Sequence, residues 1–272
     1  MPLITISTKI GSQGSAIAAA VAEELNLTLY DNPRLQKEAL NMGFAKEKQI
    51  SLKEKAAGLM DRFLSQRPEA DLDLMESIVL EVAKRGEGVI VGHLSQMFLR
   101  DFDCALHILI HASKRTRIQN LMHALNLSHE SAKKLVEKKD SEQEGFFRFA
   151  FHGNLNDTSL YDMVINTAKF SQQTAVRTIV DLAGTEEILA CSLGALEAME
   201  RLARIKAIEA ELLNHGFNLS MINVSFPTED AVRINGLAPS DMAKEEVLDS
   251  VRKMPGIAEV IYDVAVMPPD LQ

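Results

Sequence analysis

Short apolar runs alternate with amphipathic stretches along the first two thirds of the chain. LITIS (3–7), GVIVGH (88–93), ALHILIH (105–111) and YDMVIN (161–166) are near-continuous apolar segments, the pattern of strands covered on both faces of a parallel sheet. Helical spacing is predicted over 14–25, 34–42, 71–87, 113–125, 128–140 and 171–183, with Gly86 as a stop and Ser128 as a start. Strands alternating with helices imply an open α/β sheet with crossover helices. Residues 44–70 are polar and interrupted by Pro68, and read as a mobile helical insertion.

The pattern changes after Leu182. A long helical stretch is followed by SMINVSF, AVRINGLA, the helix DMAKEEVLDSVRKM and the strand AEVIYDVAVM. That αββαβ order predicts a second, smaller α+β domain over 203–269, joined by a helical linker (184–202) to a first domain over 1–183.

Composition narrows the class. With 272 residues, 46% hydrophobic and 25% charged, the chain is long enough for a sizeable core, and no apolar run is long enough to span a membrane. A net charge of −9 argues against general nucleic-acid binding, which needs a basic surface. Cys104 and Cys191 stand in apolar surroundings and read as buried free thiols. With a strand starting at residue 3 and no apolar leader before it, they give the expectation of a cytoplasmic protein.

The strand-turn-helix LITISTKIGSQGSAIAAAVAEEL (3–25) is where phosphate chemistry is expected. Gly11 and Gly14 let the backbone approach an anion, and the helix that follows presents its positive end. The loop amides and side chains of Lys9, Gly11, Ser12, Gln13, Gly14 and Ser15 are the candidate phosphate ligands. A P-loop lysine and Mg²⁺-binding hydroxyl are replaced by Ser15 and Ala16.

ISTKIGSQGSAIA, YDN, VIVGH, LVEKKDSEQEGFFRF and DTSLYDMVINTAKF together resemble the landmarks of the cytidylate kinase-like family, P-loop nucleoside monophosphate kinase relatives, over residues 1–183. The resemblance implies a P-loop kinase-like fold, with ATP and Mg²⁺ as cofactors and a nucleotide of the CMP or ATP class, or phosphate, as ligand. Ser7, Gly11, Ser12, Gly14 and Ile17 match the family loop, whereas Thr8, Gln13, Ser15 and Ala16 depart from it. Val91-Gly92-His93 stands where the family has V-G-R, and Asn120 replaces an arginine one turn after Arg117. In the lid, Asp140, Arg148 and Phe149 match. Ser141, Glu142, Gln143 and Glu144 occupy the basic stretch. Asp157, Tyr161, Asp162, Asn166 and Thr167 match the tail landmark.

By resemblance, Arg117 and Arg148 are the candidate catalytic cations, and Asp31, His93 and Asp157 line the acceptor side. The residues themselves leave other roles open. Asp31 could cap the helix after it, and His93 could be a local hydrogen-bonding residue. His107 and His111 lie on one face of a strand without a third metal ligand. Phosphoryl transfer depends on positive charge placed around the transferred group, and the departures fall on cations. The expectation is therefore nucleotide binding with little or no catalysis, a pseudoenzyme. The alternatives are an active kinase using Lys9, Arg115, Arg117 and Arg148 as a rearranged cation set, and a scaffold with an empty site.

Residues 203–269 resemble a BON domain through MPGIAEVIYDVAV, which implies an accessory module that binds membranes or small ligands. Six cations against eleven carboxylates from 203 to 272 argue against anionic lipid. A regulatory or interaction role fits better, with apolar strands that could pair in a homo-oligomer.

Overall fold

The computed structural model describes residues 2–42, 68–102, 104–189, 193–228 and 230–267. The predicted insertion at 44–70 lies outside them, apart from the start of a helix at Pro68.

β1 (Leu3–Thr8), β2 (Leu29–Tyr30), β3 (Gly88–Val91), β4 (Ala105–His111) and β5 (Met163–Asn166) form one parallel sheet in the order β2-β3-β1-β4-β5. The apolar runs form strands because both faces are covered. Ile4 and Ile6 of β1 are sealed against Ile17, Val21, Val176 and Ile179 from α1 (Gly14–Glu24) and α7 (Gln172–Ala183). Leu3, on the opposite face, joins Val79, Leu80, Phe147 and Leu155. Thr5 shares that second face and is satisfied across the ladder, its Oγ1 lying 2.7 Å from His107 Nδ1.

α2 (Asn32–Asn41), α3 (Pro68–Ala83), the short α4 (Ser95–Phe98), α5 (Lys114–Leu125) and α6 (His129–Phe151) complete this unit. Serine hydroxyls cap three of the helices around this sheet: Ser128 opens α6 as expected, and Ser113 and Ser171 do the same for α5 and α7. The predicted helix at 128–140 does not stop there. It continues unbroken to Phe151, because the stretch after Asp140 is built mostly from helix-compatible residues with Gly145 as a single weak point.

After the short α8 (Glu186–Leu189), α9 (Leu193–Asn214) leads into β6 (Ile222–Ser225), β7 (Ala231–Ala238), α10 (Asp241–Arg252) and β8 (Glu259–Val266). The second sheet has the order β6-β7-β8, with β7 antiparallel to β6 and parallel to β8. Ile208, Leu212, Phe217, Val232, Ile234, Val247 and Val264 form its core. α9 passes without a break from the expected linker into this unit. Its Met199 and Ala203 belong to the core of the larger unit instead. Lys206 strengthens the join, bridging Glu76 of α3 at 3.1 Å and Glu209 at 3.0 Å. Burial opposes its charge, but the two carboxylates prevail and raise its pKa.

Cys104 is buried and disulfide-bonded, which corrects the expectation of a free thiol there; Cys191 lies outside the described residues. No described helix is long and apolar enough to cross a membrane.

Candidate functional site

The loop between β1 and α1 lies at the C-terminal edge of the sheet, where open α/β folds bind ligands. Gly11 takes φ 80° and Gln13 φ 66°, and the Ser12 amide donates to Lys9 O at 3.0 Å, closing the turn. Gly14 is demanded by space, since a β-carbon there would lie 2.0 Å from Thr8 Oγ1. The Ser12 hydroxyl turns inward to Ile110 O (3.2 Å) and Thr8 Oγ1 (2.9 Å), and Thr167 Oγ1 donates to Ser12 O at 2.9 Å.

Ser12 is therefore a fastening of the loop, with both its amide and its hydroxyl already engaged. The amides of Gly14, Ser15 and Ala16 have no acceptor among the described residues and point out of the helix start. They open on a cleft of about 620 Å³ between the loop and α5, lined by Lys9, Gly11, Gln13, Ser15, Asn120 and His123 among others.

α5 and α6 hold this loop from outside. Asn120 Nδ2 donates to Gly11 O at 2.8 Å, and a β-carbon on Gly11 would come 2.6 Å from Arg117 O. The Arg117 guanidinium is buried. It donates to Ala112 O (3.2 Å) and Ile10 O (3.3 Å), and it makes a two-pronged contact with Asp140 at 2.9 and 2.6 Å. Arg117 thus joins loop, α5 and α6.

Lys9 Nζ lies 3.5 Å from Glu144 Oε1, which also accepts from Asn156 Nδ2 at 3.3 Å, and Gln143 Nε2 reaches Thr8 O at 3.4 Å. Glu142 turns away to Lys139 (2.8 Å) and Lys138 (3.5 Å) of its own helix. Of the two lid glutamates expected to oppose phosphate, only Glu144 contacts the loop. Arg115 and Arg148 are exposed, and Arg148 makes no ion pair among the described residues. The rearranged set of four cations does not converge here. His111, beside the loop, has its pKa lowered by burial and by the nearby charges of Lys9 and Arg117.

The acceptor-side candidates divide. Asp31 and His93 come together at the ends of β2 and β3. Asp31 caps α2, accepting from the Arg34 amide at 3.0 Å, so its local role is fulfilled. Burial pushes the His93 imidazole down to about 4, with the Asp31 carboxylate opposing the shift. Asp157 caps a 3₁₀ turn (Thr158–Leu160), accepting from Ser159 N and Oγ at 3.0 and 2.8 Å, and these bonds lower its pKa.

Sequence reasoning missed three residues of the site. Thr8 and Asn120, noted only as departures from a pattern, turn out to brace the loop. Gln96, buried on α4 beside Ser7, carried no signal in the sequence.

The sequence model of the cytidylate kinase-like family matches residues 3–169. Among curated proteins, the cytidylate kinase of Pyrobaculum islandicum is 28% identical over 182 residues, 66% of this chain and 92% of that one. The cytidylate kinase of Pyrococcus horikoshii is 26% identical, covering 63% and 82%. Among solved structures, an uncharacterised protein from Eubacterium ventriosum aligns with a TM-score of 0.53 and 22% identity, over 66% of this chain and 97% of that one, a likeness of fold.

Proposed function

The chain belongs to the cytidylate kinase-like family through residues 3–169, and from that premise we propose that it binds nucleotide phosphates at the 9–16 loop while transferring phosphoryl groups slowly or not at all. The outward amides of Gly14, Ser15 and Ala16 suit an anion. One observation carries the reading on catalysis: Arg117 is buried and held by Asp140 and two carbonyls. A guanidinium held this way is a strut, and the transition state loses a contribution that a well-aimed arginine makes at roughly 10³–10⁵ in rate.

ATP fits this seat through its phosphates. Mg²⁺ fits less well, since Ala16 brings no oxygen where P-loop kinases place a hydroxyl. The αββαβ unit over 203–269 is read as BON-like and regulatory, with α9 coupling it to the larger unit.

Calorimetry with CMP, CDP and ATP, with and without Mg²⁺, tests the proposal. Binding below millimolar with turnover under about 1 s⁻¹, the low end for kinases, is the expected result. No heat with any of them, and melting unaffected by nucleotide, would leave the scaffold reading. The second reading, an active cytidylate-type kinase moving the γ-phosphoryl of ATP to a nucleoside monophosphate, is favoured by the relatives' activity. A coupled assay above that rate would establish it.

A further inference from the structure

The larger and smaller units meet along α9 around a cavity of about 320 Å³. Its walls come from both, α2 and the end of α3 on one side, α9 and the turn at 254–257 on the other. The two units hold one relative placement here. Met199 and Ala203 of α9 sit in the larger core, Ile208 and Leu212 in the smaller one, and Lys206 reaches Glu76 at 3.1 Å. Arg204 fastens the turn, donating to Gly256 O and lying 4.3 Å over the Phe226 ring. Gly256 takes φ 77°, and just beyond it the Ala258 amide donates to Asp230 O at 2.8 Å. Small-molecule sites concentrate in cavities of this size at such junctions.

The charges of the wall indicate what it would hold. Its carboxylates are spent. Glu38 is buried between Arg34 at 3.2 Å and Arg85 at 3.0 Å, Glu81 holds Lys84 at 2.8 Å, and Glu211 meets His215 at 3.2 Å. Burial opposes the Glu38 charge, but Arg85 and Arg34 prevail and lower its pKa. The cations at the end of α3 keep donors in hand. Lys84 gives one N–H to Glu81, and Arg85 gives one each to the Tyr30 hydroxyl and to Glu38. An ammonium carries three N–H groups and a guanidinium five, so both residues retain donors for a ligand. A cationic ligand would have to break an existing pair to reach a carboxylate, whereas an anion needs only these remaining donors. The wall from the smaller unit is apolar, made by Met254, Pro255 and Ile257, with Ala207 of α9 beside it.

We propose that this cavity binds a small organic anion, whose acidic group pairs with Lys84 and Arg85 and whose apolar body lies against Ala207, Met254 and Ile257. Such a ligand touches both units at once, so its binding fastens their junction and raises the stability of the chain by mass action. The cavity shares no lining residue with the cleft at the 9–16 loop. The proposal therefore stands independently of the nucleotide reading.

Three probes with one apolar body and different heads separate charge from fit: phenylbutyrate, phenylbutylamine and phenylbutanol. Each is titrated by calorimetry into the full-length protein, its Lys84→Gln variant and its Ala207→Leu variant, and melting temperatures are recorded alongside. The parent should bind phenylbutyrate about tenfold or more tightly than phenylbutanol, the gain expected of charge-assisted hydrogen bonds, and phenylbutylamine most weakly. Phenylbutyrate should also raise its melting temperature. Lys84→Gln should weaken phenylbutyrate about tenfold and leave phenylbutanol unchanged, a split that a merely structural role would not produce. Ala207→Leu should abolish binding without lowering the melting temperature, because leucine occupies the cavity. ATP binding should be the same in all three proteins, so failure here and failure of the nucleotide reading are separate results. Equal affinity of the parent for the three heads, or preference for the amine, would overturn the proposal. Phenylbutyrate binding retained in Ala207→Leu would place the ligand elsewhere and overturn it too. No binding to the parent would make the cavity a solvent-filled gap. Should Ala207→Leu fail to fold, the head-group split in Lys84→Gln decides by itself.

Discussion

Arg117 and Asp140, 23 residues apart on α5 and α6, meet through two parallel N–H···O bonds of 2.9 and 2.6 Å, with the guanidinium buried against the loop between β1 and α1. The pair places α6 across the loop, and from it come Gln143 to Thr8 O and Glu144 to Lys9. Removing one partner leaves a buried charge uncompensated, which is far worse than removing both. Asp140→Ala should lower the unfolding free energy by about 3–5 kcal/mol. Arg117→Met/Asp140→Leu should recover most of that loss. Urea titrations of the three proteins decide it, and equal stability of Asp140→Ala and the parent would show that the contact contributes nothing.

Glu144 is the one lid carboxylate seated on a loop cation, at 3.5 Å from Lys9. It is partly exposed, and such pairs contribute about 0.2–1 kcal/mol. Glu144→Gln should therefore tighten ATP binding modestly, by about two- to fivefold at low salt, with the gain shrinking as salt is raised. Glu142→Gln should change nothing comparable, because Glu142 faces Lys138 and Lys139. Weaker ATP binding in Glu144→Gln would mean that the carboxylate positions Lys9 for the nucleotide.

Gly14 admits no side chain, since the added carbon would lie 2.0 Å from Thr8 Oγ1 and 2.5 Å from Thr8 Cβ. Gly14→Ala should destabilise by about 1–3 kcal/mol through overpacking and abolish phosphate binding by displacing the first amides of α1. Because both Thr8 atoms are too close, Thr8→Ala should not rescue it. Circular dichroism melts and phosphate titrations of the single and double variants check both effects.

The strands and this loop were legible because burial on both faces writes itself into the sequence as unbroken apolar runs such as 3–7 and 105–111, and because a turn glycine is read directly. The partners of charges were not. Arg117 presents the same letter whether it points to a phosphate or to Asp140, and only the packing of α5 against α6 decides. Glu142 and Glu144 read alike until a continuous helix turns one toward its own lysines and the other toward Lys9. The left-handed turn at His93 and Leu94 had no local signal beyond Gly92, so the burial of Gln96 behind it was equally hidden. The αββαβ order survived as sequence pattern, whereas the path of α9 through the expected linker depends on apolar residues that serve two cores at once.

His93 makes the stability of the fold depend on pH. Burial holds its imidazole near 4 against an ordinary 6.5, and burial also lowers His107 and His111. Between those two values the unfolded chain binds a proton that the folded chain refuses. Stability must then rise with pH through this window, being fully present above about 6.5 and lost as pH falls toward 4. At about 1.36 kcal/mol for each pH unit, and allowing for the partial exposure of His93, its share is about 1–3 kcal/mol. His93→Asn is the sharper variant, because asparagine tolerates the left-handed backbone at φ 56° and does not titrate. Urea unfolding at four pH values from 4.5 to 7.5 should show a steep dependence in the parent and a clearly shallower one in the variant. The remaining slope belongs to His107, His111 and the carboxylates. If the two curves run parallel across the window, the His93 imidazole is either solvated in the folded protein or held in its charged form by Asp31.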